Sequence, residues 1–365
     1  MSTQELHGRI LCIHQGAVGD LILALPAVKT LRAALQPSWL EIMGHPWTLP
    51  LAMGRPYADA VTDINQGDMA PFFQEDAHLP AALKGYLGHF NTAFYFGGSA
   101  TLAHNLRRAG IQKTFILPPF PAGRTPVTLH HLASLRALGI PVPPCTPKIY
   151  LRDEEKEWAE EFFCQRGWGL DEIIALHPGA GTRKKAWPPQ RFAALGRQLA
   201  RGPTKLLIIQ GPADEGCVEE ALTGLEGIPT LVARDLPLRK VAALLSCACL
   251  FIGNDSGCSH LAAALGVRTL ALFGPTDPLI WAPRGEQASW LQGKVACAPC
   301  DRAQQRACER QRCLEAIEVP AVLACINERW MFHHQGALKD ERPIARGTPG
   351  YQRTGNPEGR ALPPP

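Results

Sequence analysis

The sequence predicts an α/β protein of two Rossmann-like, doubly wound domains facing across a cleft, and three observations predict it. Short apolar runs alternate with helical patterns from Arg9 onward, a proline-rich stretch interrupts the alternation, and the same rhythm then starts again. A chain of 365 residues is also long for one hydrophobic core, which points to two domains with a ligand between them.

In the first half the runs are RILCIH, followed by the helical DLILALPAVKTLRAAL, then SWLEIMG, AVTDIN and NTAFYFGG, the last followed by SATLAHNLRRAG. Strands alternating with helices in this way form a parallel sheet with crossover helices. GIPVPPCTPKIY, from Gly139 to Tyr150, breaks the rhythm and precedes the acidic helix DEEKEWAEEFFCQRG, so a linker falls there. The second half reads IIALHPG, RFAALGRQLARG, KLLIIQG, a helix through Glu219, TLVA, LRKVAALLSCA, LFIGN, SGCSHLAAALG and RTLALFG. The expected organisation is an N-terminal domain over 1–150, a C-terminal domain over 151–335 and a disordered tail over 336–365. That tail is rich in Gly, Pro and Arg and has almost no apolar periodicity.

Apolar residues make up 46% of the chain and charged residues 19%, an ordinary globular composition. The net charge of +4 is too dilute for a nucleic-acid footprint and suits an anionic substrate or membrane surface. No window reaches the roughly 20 apolar residues of a membrane span, and MSTQELHGRILCIHQG has no long apolar leader, so a cytoplasmic protein is expected. Arg55, Lys84, Arg107, Arg108 and Arg124 suit either lipid phosphates or a solvated face.

Three loops carry candidate chemistry. HQGAVGDL follows the first strand, with Gly16 and Gly19 permitting a tight turn and Asp20 at the start of a helix. It lacks the third glycine of a dinucleotide fingerprint, and Glu41 falls inside the second strand rather than at its tip, so a nicotinamide cofactor is not expected. IIALHPGAGTRKKAWPPQRF runs from a strand into Thr182, Arg183, Lys184 and Lys185, a mixture of amide, hydroxyl and ammonium donors suited to a diphosphate. FIGNDSGCSHLAAALG sets Asp255, Ser256 and Gly257 at a strand–helix junction whose amides suit phosphate oxygens, with His260 over one turn into the helix.

GAVGD, HPGAGTRKKAWPPQRF and GNDSGCSHLAAALG followed by LFGPTDP occur in that order, and with them the chain resembles the lipopolysaccharide heptosyltransferases, glycosyltransferase family 9 of the GT-B fold. The resemblance spans about residues 9 to 330. It implies an inverting, cofactor-independent transfer from ADP-L-glycero-D-manno-heptose to the lipopolysaccharide inner core, at the cytoplasmic leaflet of the inner membrane. It also implies that Asp20 is the general base and that Thr182, Lys185 and the amides around Ser256 and Gly257 stabilise the leaving diphosphate. Glu215 is then placed near the ribose, Leu236 against the adenine, and Asp255 and His260 along the sugar and phosphates. Two features depart from the family: His14 and Gln15 replace a basic residue, and Ala186 stands where Arg or His often precedes the tryptophan. Two alternatives are a nucleotide-sugar epimerase of similar fold and a noncatalytic nucleotide-sugar-binding protein.

The cysteines at 12, 164, 217, 247, 249 and 258 read as reduced core residues. Cys297, Cys300, Cys308 and Cys313 instead form CAPCDRAQQRACERQRC, whose spacing leaves a structural zinc or iron site, free thiols and a labile disulfide all open. A metal there is expected to be structural, because the segment stands away from the three donor-binding strand ends.

Overall fold

Two parallel sheets carry the described part of the chain, residues 8–330 apart from 55, 67, 68 and 171, in a computed structural model. Arg55 and the expected tail at 336–365 lie outside the described residues. The first sheet contains β1 (Arg9–His14), β2 (Trp39–Gly44), β3 (Ala60–Asp63), β4 (Thr92–Phe96) and β5 (Lys113–Leu117) in the order β3-β2-β1-β4-β5. The second contains β6 (Ile173–His177), β7 (Lys205–Gln210), β8 (Thr230–Arg234), β9 (Leu250–Asn254), β10 (Thr269–Phe273) and β11 (Ala288–Gln292) in the order β11-β10-β9-β6-β7-β8. Read from β8, the second order is the doubly wound 3-2-1-4-5-6, and the first sheet has the same order one strand shorter.

Central strands read as continuous apolar runs because helices cover both faces: Ile10 to Ile13, all of β4 and all of β9 are buried. The edge strands β5 and β11 were not evident as strands in the sequence. Most residues of both are only half-buried, so neither shows an unbroken apolar run.

The Val18–Leu35 helix is apolar nearly all round, with Leu21 to Val28 buried without interruption, which marks a helix packed on more than one side. It packs against the Gly257–Ala264 helix of the second sheet's half. One apolar cluster accordingly runs through both halves, from Ile10 and Leu25 to Leu244 and Leu261. This packing presses two helix N-termini together. A Cβ on Gly257 would lie 2.8 Å from Val18 Cβ, and one on Gly19 would lie 2.8 Å from His260 Cδ2, so both positions require the smallest residue.

Candidate active site

Ligands in doubly wound sheets bind beyond the carboxyl ends of the strands, where the strand order reverses. Here those reversals lie between β1 and β4 and between β6 and β9. Loops leaving β1, β6, β7, β9 and β10 line a cavity of about 680 Å³, within the range of small-molecule sites. Asp20, Lys185, Asp255, Ser256, Gly257 and His260 all line it. Thr182, Glu215 and Leu236 lie outside the lining. Thr182 is exposed, and its carbonyl accepts from the Lys185 amide at 3.1 Å. Glu215 is exposed at the start of the Glu215–Thr223 helix. Leu236 packs half-buried against the core, while Leu238 faces the cavity.

Asp20 stands in the first turn of its helix, where its Oδ2 accepts from the Ala17 amide at 3.0 Å. Burial pushes its pKa above the ordinary carboxylate value. The Ala17 amide and the Lys185 ammonium counter that rise, and Asp255 adds to it. A carboxylate raised in this way is a stronger base than a solvated one.

Lys185 sits at the end of the single 3-10 turn Arg183–Lys185, and its Nζ lies 2.8 Å from Asp255 Oδ2. The same oxygen accepts from Thr276 Oγ1 at 2.6 Å. Lys185 remains partly solvent-accessible while Asp255 is nearly buried, so the ammonium is oriented from below and open toward the cavity. Across from it, Ser256 is the N-cap of the Gly257–Ala264 helix, yet its side chain makes no capping hydrogen bond. The first amides of that helix have no carbonyl one turn earlier to bond, so the helix end is a cluster of donors with a positive dipole.

Sequence reasoning missed a buried pair behind Ser256. His177 ends β6; its Nε2 lies 3.0 Å from Asp214 Oδ2 and its Nδ1 3.1 Å from Ser256 Oγ. Burial alone would lower the His177 pKa, but Cys258 and Asp214 beside the ring outweigh it and push it up to about 10. Asp214 moves the opposite way. Burial would raise it, but the contact with His177 and the Gly211 amide hold it below the ordinary value, as an ion pair requires. The only hint in the sequence was HPG at a strand end. Asn254 was also missed: its Oδ1 accepts from the Trp187 amide and its Nδ2 donates to the carbonyls of Pro178 and Gly179, which ties the loop after β6 to β9.

On the N-terminal side, His14 is buried and burial lowers its pKa to about 4, while Gln15 Oε1 accepts from the Tyr95 hydroxyl at 3.1 Å. Neither residue is among those that line the cavity. Among the candidate lipid-facing cations, Arg108 donates to Asn105 Oδ1 and the Ala77 carbonyl, and Arg124 makes a two-pronged contact with Asp277 at 2.6 and 3.2 Å. Beside that contact Phe120 meets Trp281 edge-on at 5.2 Å, and both rings line the cavity.

No group of three or more His, Cys, Asp or Glu among the described residues is arranged to hold a metal ion. The expectation that the four-cysteine segment stands away from the donor site needs correction: Cys300, Asp301 and Gln305 line the same cavity. The physical reason is a tether, since the Cys300 amide bonds the Pro275 carbonyl just beyond β10 at 2.7 Å. Lys184 Nζ adds bonds to the carbonyls of Gln305 and Arg306 at 2.9 and 2.7 Å. No helix among the described residues is long and apolar enough to cross a membrane.

Residues 124–309 match the model of glycosyltransferase family 9 (heptosyltransferase). Lipopolysaccharide heptosyltransferase 3 of Escherichia coli K12 is 23% identical over 289 residues, covering 73% of this chain and 82% of that protein. The family 9 glycosyl transferase structure from Veillonella parvula superposes with a TM-score of 0.74 at 20% identity, covering 88% of this chain and 96% of that one. E. coli ADP-heptose lipopolysaccharide heptosyltransferase II gives a TM-score of 0.68 at 19% identity, covering 88% and 98%. These superpositions establish a shared two-domain GT-B architecture.

Proposed function

The chain belongs to glycosyltransferase family 9, a family of transferases, and from that premise we propose that it moves heptose from ADP-L-glycero-D-manno-heptose onto the lipopolysaccharide inner core with inversion. One observation carries this reading: a half-buried carboxylate from the first half, Asp20, shares a cavity with an ammonium and a helix N-terminus from the second, Lys185 and Gly257. An acid–base group opposite an anion cradle is the equipment for transferring a sugar off a diphosphate. The similar proteins include lipopolysaccharide heptosyltransferase 3 and ADP-heptose lipopolysaccharide heptosyltransferase II of E. coli, which supports the choice of substrates.

In this mechanism the acceptor hydroxyl attacks the anomeric carbon of the donor. Its proton passes to the Asp20 carboxylate as the new C–O bond forms, and the bond to the diphosphate oxygen breaks on the opposite face, giving inversion and free ADP. Lys185 and the first amides of the Gly257–Ala264 helix meet the charge that develops on the leaving diphosphate, and Thr182 supports the loop that presents Lys185. Glu215, at the start of its helix and next to Asp214, and Leu236, two residues before Leu238, adjoin residues that line the cavity, and we assign them to the ribose and the adenine. Asp255 and His260 we assign to the sugar and phosphate region. The reading takes 1–150 as the acceptor domain and 151–335 as the donor domain.

We further read the enzyme as cytoplasmic and in peripheral contact with the inner face of the inner membrane, where its glycolipid acceptor would lie. No step draws on a metal: the four-cysteine loop is read as a wall of the cavity, and a zinc or iron ion held there would brace that wall. Membership of a transferase family favours transfer over the epimerase and noncatalytic readings. Incubating the protein with ADP-heptose, with and without heptose-deficient lipopolysaccharide, tests the proposal. Acceptor mass should rise by one heptose and ADP should appear only in the complete mixture. Conversion of the donor alone into an isomer would contradict it.

A further inference from the structure

His177 occupies a position that neither packing nor capping explains. It is 3% exposed at the end of β6, and both ring nitrogens are engaged, Nε2 with Asp214 and Nδ1 with Ser256. Ser256 lines the cavity and, although it is an N-cap residue, spends no side-chain bond on its own helix. The groups facing the ring are thus Asp214 from the loop after β7, and Ser256 and Cys258 at the start of the Gly257–Ala264 helix.

With Nε2–H donating to Asp214, only Nδ1 has a choice of role. A neutral ring would accept the Ser256 hydroxyl proton and turn the hydroxyl inward, away from any ligand. A doubly protonated ring donates to Ser256 Oγ, so the hydroxyl proton is left to point into the cavity. Cys258 and the Asp214 carboxylate beside the ring favour the second arrangement, and the upward shift of His177 together with the downward shift of Asp214 agrees with it. The chain Asp214–His177–Ser256 has the composition of a hydrolytic triad but the opposite polarity, because a ring protonated on both nitrogens takes no proton from serine.

We propose that His177, held by Asp214, is a positioning residue that donates to Ser256 Oγ and so aims the Ser256 hydroxyl proton at a phosphate oxygen of a nucleoside diphosphate in the cavity. The inference rests on reading the cavity as the donor site. It adds two residues, His177 and Asp214, which also line the cavity and whose role here is to orient Ser256.

Calorimetric titration with ADP separates this role from a purely structural one. Wild type, Asp214→Asn, Ser256→Ala and the double variant are compared, with thermal unfolding recorded for each. Asn keeps the shape of Asp214 but removes its charge, which with Cys258 favours the second proton on His177. Each single variant should weaken ADP binding by about tenfold, the scale of one well-made hydrogen bond to a charged group. The double variant should be no more than about twofold weaker than either single one, because both changes remove the same contact. Ser256→Thr, which keeps the hydroxyl, should restore binding to within about threefold of wild type. If Asp214→Asn does not fold, His177→Gln takes its place in the cycle with the same expectation. Losses that multiply in the double variant would overturn the proposal while leaving the donor site intact. Wild type that bound no ADP would overturn the donor-site reading as well.

Discussion

Lys185 Nζ lies 2.8 Å from Asp255 Oδ2, across seventy residues of sequence, and that carboxylate oxygen is shared with the Thr276 hydroxyl. The arrangement holds the ammonium in place before any anion arrives, so little side-chain entropy remains to be lost when a diphosphate binds. Lys185→Ala should therefore weaken ADP binding by about 1.5 to 3 kcal/mol, the range for one charge-assisted hydrogen bond. Calorimetry checks this, and unchanged affinity would remove Lys185 from the donor site.

The contact between Gly257 and Val18 makes a second prediction. A methyl group on Gly257 would sit 2.8 Å from Val18 Cβ and 3.1 Å from its Cγ1, with the Gly19 amide nitrogen at 3.5 Å, so neither side has a flexible tip to move. Gly257→Ala should destabilise the protein by about 1 to 3 kcal/mol and lower turnover by displacing Asp20 relative to the helix end. Denaturant unfolding measures the first effect and steady-state kinetics the second. A variant as stable and active as wild type would show that the two helix ends do not meet this closely.

Stability should depend on pH in two separate windows. His14 and His260 are buried with pKa lowered to about 4, and His131 to about 3, in each case mainly by burial. These rings bind protons in the unfolded chain before they do in the folded one. Stability is therefore complete above the unfolded value near 6.5 and falls as pH drops toward 4, by roughly 3 kcal/mol per ring at most. His177 has the opposite sign. Its pKa is raised to about 10, so its contribution is complete below about 6.5 and is lost as pH climbs toward 10. Urea unfolding across this range should trace a dome with its shoulder near neutrality. A curve that stayed flat between pH 4 and 6.5 would contradict the burial of these rings.

Legibility in the sequence followed covalent distance. Asp20, Lys185 and the Asp255–His260 segment each declare themselves through a local pattern, a strand running into small residues and a helix start. Central strands were equally plain, because burial on both faces leaves an unbroken apolar run. What stayed hidden depends on neighbours in space: β5 and β11 at the sheet edges, His177 against Asp214 at 37 residues' separation, and the tether that carries Cys300 to the cavity wall. The shared core is hidden for the same reason, since an apolar helix such as Val18–Leu35 does not say which second surface it covers.

The role of Asp20 is tested most directly by comparing Asp20→Asn with wild type in both transfer rate and ADP affinity. Removal of the proton acceptor should lower kcat by about two to four orders of magnitude while ADP binding stays within a few-fold, since base and anion cradle come from different halves of the chain. An Asp20→Asn variant that transferred sugar at a rate near wild type would show that another group takes the proton.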